Sequence, residues 1–129
     1  MRLLLDTHTF IWMIDRPERL PPTAAGALLA ASNELILSHA SIWEMQVKYG
    51  AGRLSLSLAP LMLARREEAV GAITLLPITL DHVARLAELP AVHRDPFDRM
   101  LVSQARREGL TLVTADGDIP KYPVPTLWS

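Results

Sequence analysis

Four acidic residues of this chain stand where an apolar element begins or ends, rather than on a charged face: Asp6, Glu44, Asp98 and Asp116. Asp6 closes the run Leu3-Leu4-Leu5, and Glu44 rides the apolar stretch Ser41-Ile42-Trp43-Glu44-Met45. Asp98 falls in the first turn of a helix opened by His93-Arg94-Asp95-Pro96-Phe97, and Asp116 follows Leu110-Thr111-Leu112-Val113-Thr114. Burying an unpaired carboxylate is costly or forces its neutralisation, so a domain ordinarily spreads its acids over the surface. Acids at the rims of apolar elements point instead to one shared site. Two carboxylates ~4 Å apart repel by about 4 kcal/mol at an effective dielectric of about 20, so three or four together call for a counter-charge. The sequence places no lysine or arginine inside such a cluster. Oxygen ligands with open positions suit Mg²⁺ or Mn²⁺, and without cysteine or a His-x-x-x-His pair the chain offers nothing to copper or to a zinc site of those types. An ion of that kind lowers the pKa of a bound water and stabilises developing charge, the chemistry of phosphodiester hydrolysis.

Each acid also has a plain structural role. Asp6 suits the N-cap of the helix after it. Glu44 can pair with Lys48 at i,i+4. Asp116 begins Asp116-Gly117-Asp118, where turn formation is sufficient reason for an acid, and Asp118 is the weaker candidate of that pair. Asp95-Pro96-Phe97-Asp98 fits an N-cap, a proline at N1 and an acid at N3, with Asp95 the cap and a metal-bound water its second use. Asp98 nonetheless heads the stripe Leu101, Val102 and Ala105, which should face the core, so its carboxylate is aimed at the sheet edge. His8 and His93 read as hydrogen-bonding neighbours of the acids.

The elements that must position these residues alternate along the chain. Apolar strands are expected at residues 2–5, 35–37, 73–76 and 112–113, with a last one at Thr126-Leu127-Trp128. Helices are expected over Thr9–Ile14, Thr23–Ser32 behind Pro21-Pro22, Ser41–Tyr49, Leu58–Val70 with Ser57 as cap, Leu80–Leu89 capped by Thr79, and from Asp95-Pro96 to a stop at Gly109. The third of these helices, carrying Ile42, Trp43 and Val47, reads as mostly buried, and core packing is the expected role of Trp12 and Trp43. Short apolar strands alternating with helices imply an α/β fold with a parallel sheet covered on both faces. Ligands of such sheets bind outside the carboxyl ends of the strands, which is where Asp6 and Asp116 fall.

At 129 residues, half of them hydrophobic, the chain suits one domain with a real core. The lack of cysteine suits a reducing cytoplasm. Met1-Arg2-Leu3-Leu4-Leu5 is too short to be a signal peptide, and no segment approaches the ~20 apolar residues of a membrane span. A net charge of −1 gives no global attraction to nucleic acid, so any such binding rests on local patches.

The motifs Leu3-Leu4-Leu5-Asp6-Thr7-His8, Ser41-Ile42-Trp43-Glu44, His93-Arg94-Asp95-Pro96-Phe97-Asp98-Arg99 and Leu112-Val113-Thr114-Ala115-Asp116 resemble those of PIN-domain ribonucleases, in particular the VapC-type toxins of bacterial toxin–antitoxin pairs. The resemblance spans nearly the whole chain and implies a single PIN domain over residues 1–129. The implied fold is a three-layer α/β/α sandwich with a mainly parallel sheet of four to five strands. It also implies that Asp6, Glu44, Asp98 and Asp116 hold Mg²⁺ or Mn²⁺, with Thr114 as the hydroxyl that orients the site. From the residues' own placement, Asp95 and Asp118 are supporting acids, and Arg94 and Arg99, beside the acidic helix start, are candidate phosphate contacts against a default of solvated arginines. The implied activity is cleavage of RNA by a cytoplasmic homodimer that a cognate antitoxin inhibits. Two rivals stand beside this reading. A phosphohydrolase that forms an aspartyl phosphate wants an acid two residues after its nucleophile, where this chain has His8. A non-enzymatic α/β interaction module would leave the four acids far apart, as caps and solvating groups.

Overall fold

Strands buried on both faces of a parallel sheet are unbroken runs of Leu, Ile and Val, and the computed structural model, which describes residues 1–129, turns the runs of this chain into five parallel strands. These are β1 (Arg2–Leu5), β2 (Glu34–Ser38), β3 (Thr74–Leu76), β4 (Thr111–Val113) and β5 (Thr126–Leu127), in the order β3-β2-β1-β4-β5. Leu5 lies beside Leu37 on one side and Val113 on the other. Between the strands run α1 (Thr7–Asp15), α2 (Pro22–Leu29), α3 (His39–Gly50), α4 (Pro60–Ala69), α5 (Leu80–Ala84) and α6 (Pro96–Glu108). No helix is long and apolar enough to cross a membrane.

Side chains alternate across a strand, so each apolar run feeds both faces of the sheet. Leu3, Leu5, Leu35, Leu37 and Val113 pack with Phe10, Ala24, Leu28, Met45 and Leu63. Leu4, Ile36 and Leu112 point the other way, against Leu89, Leu101, Val102 and Ala105. The result is the expected three-layer α/β/α sandwich. Leu3, Leu4 and Leu5 are wholly buried, each stabilising the fold by roughly 1.5–3 kcal/mol. This makes β1 the most firmly held element from which a site residue could project.

Several expectations are revised. α4 begins at Pro60 without a side-chain cap, and the Ser57 hydroxyl donates instead to Asp15, 3.1 Å away. The helix expected to reach Leu89 divides into α5 and a 3₁₀ turn over Arg85–Glu88. Thr79 does cap it, in a reciprocal box with His82. α3 is not mostly buried: Trp43 is 59% exposed and Val47 44%, while the inward face carries Ala40, Ser41, Glu44 and Met45. Trp43 and Val47 are four residues apart and share the outward stripe, so the helix turns its acid in and its tryptophan out. Trp43 packs edge-on against Phe97, with ring centroids 4.9 Å apart. Trp12 also lies outside both apolar clusters, against Trp128 at 5.8 Å.

α6 ends where the sequence requires. Gly109 adopts φ 69°, ψ 42°, the left-handed cap conformation, and the chain turns at once into β4. A Cβ built there meets no atom within 4 Å, so only backbone strain opposes a side chain. Gly109→Ala is therefore expected to lower unfolding stability by about 1–2 kcal/mol, seen as a lower urea midpoint with an unchanged m-value. An unchanged midpoint would refute this account of the cap.

Candidate metal centre

The three central strands, β2, β1 and β4, each run into a segment that carries an acid at the carboxyl edge of the sheet. Asp6 follows β1 directly, Asp116 lies just beyond β4, and Glu44 sits on α3, which begins where β2 ends. Asp98 comes from the first turn of α6. All four line one cavity of about 370 Å³, together with Thr7, His8, Trp12, Lys48, Asp95 and Ala115. Asp6 and Glu44 are almost wholly buried, at 6% and 3% exposure. The arrangement of acids scattered as caps, which the non-enzymatic reading expects, is not the one found.

The acids are held by short hydroxyl bonds. Thr114 Oγ1 donates to Asp6 Oδ2 at 2.5 Å and accepts from the Asp116 backbone N–H at 3.0 Å, so a single hydroxyl joins the acids of β1 and β4. Thr7 Oγ1 donates to Glu44 Oε1 at 2.6 Å. The other Glu44 oxygen accepts from Lys48 Nζ at 2.6 Å. Lys48 therefore lines the cavity, which corrects the expectation that no cation stands among the acids. The i,i+4 pair that served as the plain explanation of Glu44 exists, inside the site. The same holds for the caps: Asp6 Oδ1 accepts from Thr9 N–H at 2.8 Å, and Asp95 Oδ1 accepts from Phe97 and Asp98 N–H. Asp116 Oδ1 accepts from the N–H groups of Asp118 and Ile119, the turn chemistry expected of it.

Two supporting residues are placed elsewhere. Asp118 does not line the cavity; it is half-exposed and paired with Lys121 at 2.8 Å, a partner that holds its carboxyl below the usual range. Arg99 donates to the carbonyls of Pro90 and Leu86 and to Tyr122 Oη, which commits its guanidinium to the protein and not to a phosphate. Arg94 is exposed beside Asp95, with no carboxylate partner. Sequence reasoning missed Thr7, although it is the residue after Asp6 in the first motif, and it missed Tyr122.

Tyr122 decides what His93 does. Its oxygen accepts from Arg99 Nη1 at 3.2 Å and from the His93 backbone N–H at 3.4 Å, so its own hydrogen is directed to His93 Nδ1 at 3.0 Å. In a neutral ring the proton then sits on Nε2, which lies 3.6 Å from Asp98 Oδ2 and has no hydrogen-bond partner. His93, Asp98 and Asp116 offer ligand atoms within 4.8 Å of one another. With this tautomer, assigned from the network, His93 faces the acids as a donor and not as a ligand.

A family model for the PIN domain matches residues 3–125. The chain belongs to the PIN domain family. This PIN domain is similar in fold to VapBC2 from Rickettsia felis bound to a DNA fragment from its promoter, with a TM-score of 0.73 and 19% identity over 100% of both chains. It is also similar to Mycobacterium tuberculosis VapC20, a toxin that cleaves the sarcin–ricin loop, with a TM-score of 0.72 and 14% identity over 98% of this chain and 99% of that one. A toxin–antitoxin complex from Klebsiella pneumoniae matches with a TM-score of 0.63 and 19% identity, over 97% of this chain and 95% of that one. No curated protein sequence matches significantly.

The electrostatics of the PIN domain follow from its geometry. Asp98 is the acid whose side chain accepts no hydrogen bond, and its carboxyl is pushed up from 3.8 to about 8, first by burial and then by the charges of Asp95, Asp116, Glu44 and Asp6. Asp6 is also raised, by burial, against the lowering effect of its bonds from Thr114 and Thr9. Five carboxyl groups against one ammonium leave the cavity short of positive charge, and the donors are hard oxygens, so the site fits a divalent cation of that class.

A raised folded-state pKa on an acid means that the folded protein keeps a proton the unfolded chain has already released. The contribution of Asp98 to stability is thus present below about pH 4 and is lost as pH rises through about 8. The metal-free protein should show a falling Tm across this window by calorimetry in chelator, and Asp98→Asn should flatten the fall. A Tm that stays level or climbs in the unsubstituted protein would contradict the assignment.

Proposed function

We propose that this PIN domain is an endoribonuclease dependent on Mg²⁺ or Mn²⁺, and that it is the toxin of a toxin–antitoxin pair. In this reading it works in the cytoplasm as a homodimer, on an RNA substrate, and a cognate antitoxin protein restrains it. The observation that carries the proposal is the convergence of Asp6, Glu44, Asp98 and Asp116 from four elements on one cavity with Lys48 as its lone cation. Membership of the PIN family supports the hydrolytic reading. Likeness in fold to an RNA-cleaving toxin and to a toxin–antitoxin complex supports the biological one.

Asp6, Glu44, Asp98 and Asp116 would hold the ion, with Asp95 reaching it through water. When bound, the ion supplies charge stabilisation at the scissile phosphate and an acidified water. The protein's own part is orientation. Thr114 fixes the Asp6 carboxylate, while Thr7 and Lys48 fix the two oxygens of Glu44, so neither acid has to be ordered when substrate arrives. Asp98 has no hydrogen-bond donor of its own; the proton it keeps without an ion would leave when an ion is held, and the freed carboxylate would then take a proton from an attacking water. His93 Nε2, with its proton fixed by Tyr122, stands 3.6 Å from Asp98 Oδ2.

The test is cleavage of a labelled single-stranded RNA with Mg²⁺, with Mn²⁺ and with chelator. Asp6→Asn, Glu44→Gln and Asp98→Asn should each lose more than the 10–100-fold that is roughly typical of an outer metal partner, and Thr114→Val should fall within that range. Undiminished activity in all three acid variants, or full activity in chelator, would refute the metal-nuclease reading. Expression without a partner gene should arrest growth, and healthy growth with abundant folded protein would refute the toxin assignment.

A further inference from the structure

A cavity walled by carboxylates repels the phosphates it would have to bind, and with a net charge of −1 the chain as a whole supplies no compensating attraction. Binding of a strand therefore depends on local cations that the fold has left without partners. Most basic side chains are already spent: Arg65, Arg66, Arg85, Arg107 and Lys121, among others, are paired with carboxylates. Arg16 and Arg19 are not. Both are exposed, and both line a second cavity of about 410 Å³ that shares Trp12 with the cavity of the acids.

The local fold accounts for this placement. Trp12 and Arg16 are four residues apart, at the end of α1, and therefore share a face. The backbone of Arg16 leaves the helix at φ −145°, ψ 56°, and the short 3₁₀ turn Pro17–Arg19 carries the Arg19 guanidinium to 5.7 Å from the Trp12 ring centroid. Asp15, a carboxylate in the same cavity, makes no ion pair with either arginine and accepts a hydrogen bond from Ser57. Trp12 is held by Trp128 at 5.8 Å, belongs to neither apolar cluster, and meets His8, which also lines the acid cavity, edge-on at 6.1 Å.

We infer that Trp12, Arg16 and Arg19 form the subsite that grips the single-stranded RNA beside the scissile phosphate, with a nucleobase stacked on Trp12 and the adjoining phosphates on the two arginines. This rests on the ribonuclease reading for the identity of the ligand. Unpaired bases expose their faces to aromatic side chains, and guanidinium groups match phosphate geometry with two parallel donors. Arg19 gives up its contact with the ring as a base takes that face. Duplex RNA keeps its bases stacked inside the helix and gains only the phosphate contacts.

The experiment is fluorescence anisotropy of a labelled single-stranded RNA of about ten nucleotides, titrated with the full chain in chelator so that no turnover occurs, over a range of salt. Trp12→Leu should weaken binding about 5- to 150-fold, the range for loss of one stacked base, whereas Trp12→Phe should keep most of the affinity. Arg16→Gln with Arg19→Gln should lower the slope of log affinity against log salt by about 1.4, two phosphates at about 0.7 each. A duplex of the same sequence should be indifferent to Trp12→Leu. Folded variants that bind single strands as tightly as the unsubstituted protein, with the same salt slope, would overturn the inference and leave this surface to a protein partner. Failure of the unsubstituted protein to bind single strands at low salt would overturn it equally. Failure of the nuclease reading is separately visible, as RNA bound but left intact when Mg²⁺ or Mn²⁺ is added.

Discussion

Carboxylates that share a sheltered cavity repel one another, and the repulsion grows as water is excluded. Most of what is distinctive at the carboxyl edge of this sheet answers to that constraint. Asp6 and Glu44 are placed where solvent scarcely reaches, so each needs donors fixed in advance: Thr114 and the Thr9 N–H for one, Thr7 and Lys48 for the other. Asp98 receives no such donor, and its carboxyl carries the repulsion of the group as a pKa pushed up to about 8. The fold thus stores an electrostatic deficit at one point, where a hard cation relieves it most.

Such a deficit can be sustained only because the scaffold beneath it is rigid. β1 is the central strand, paired on both sides, and its three leucines are wholly buried. The strands are short, yet they are parallel, so their carboxyl ends fall on one edge and three neighbouring strands deliver acids to the same place. Parallel pairing is therefore what converts acids far apart in the chain into neighbours. Thr114 completes the arrangement by linking the Asp6 side chain to the Asp116 backbone across 108 and 2 residues of sequence respectively.

Plain and chemical roles turn out not to compete at this edge. A carboxylate has two oxygens, and Asp6 uses one to cap α1 while the other is bound by Thr114. Asp95 and Asp116 likewise spend Oδ1 on backbone N–H groups and still line the cavity. Local sequence patterns therefore identified the caps and the turn correctly without excluding the same residues from the cavity. The misreadings came from partners that the motifs themselves do not contain. Arg99 follows Asp98 in a motif that invites a phosphate role, but Pro90, Leu86 and Tyr122 come back to occupy it. Asp118 looks equivalent to Asp116 until Lys121 claims it at the surface.

The order and type of the elements, the apolar runs of the strands, the glycine stop of α6 and the capping acids were all determined by local sequence, because they depend on spacing within a few residues. The sequence also placed Asp98 at the head of a buried stripe. The orientation of α3 was not legible: Trp43 and Val47 advertise a buried face, yet packing against the sheet turned Glu44 inward and left them outside. Only the tertiary structure could decide that, because which side of a mixed helix is buried depends on the surface it meets. The same reason governs Lys48 among the acids, the tautomer of His93 and the free state of Arg16 and Arg19. Each depends on which elements folding brings together at that point, even where, as for Glu44 and Lys48, the pair itself is legible at i,i+4.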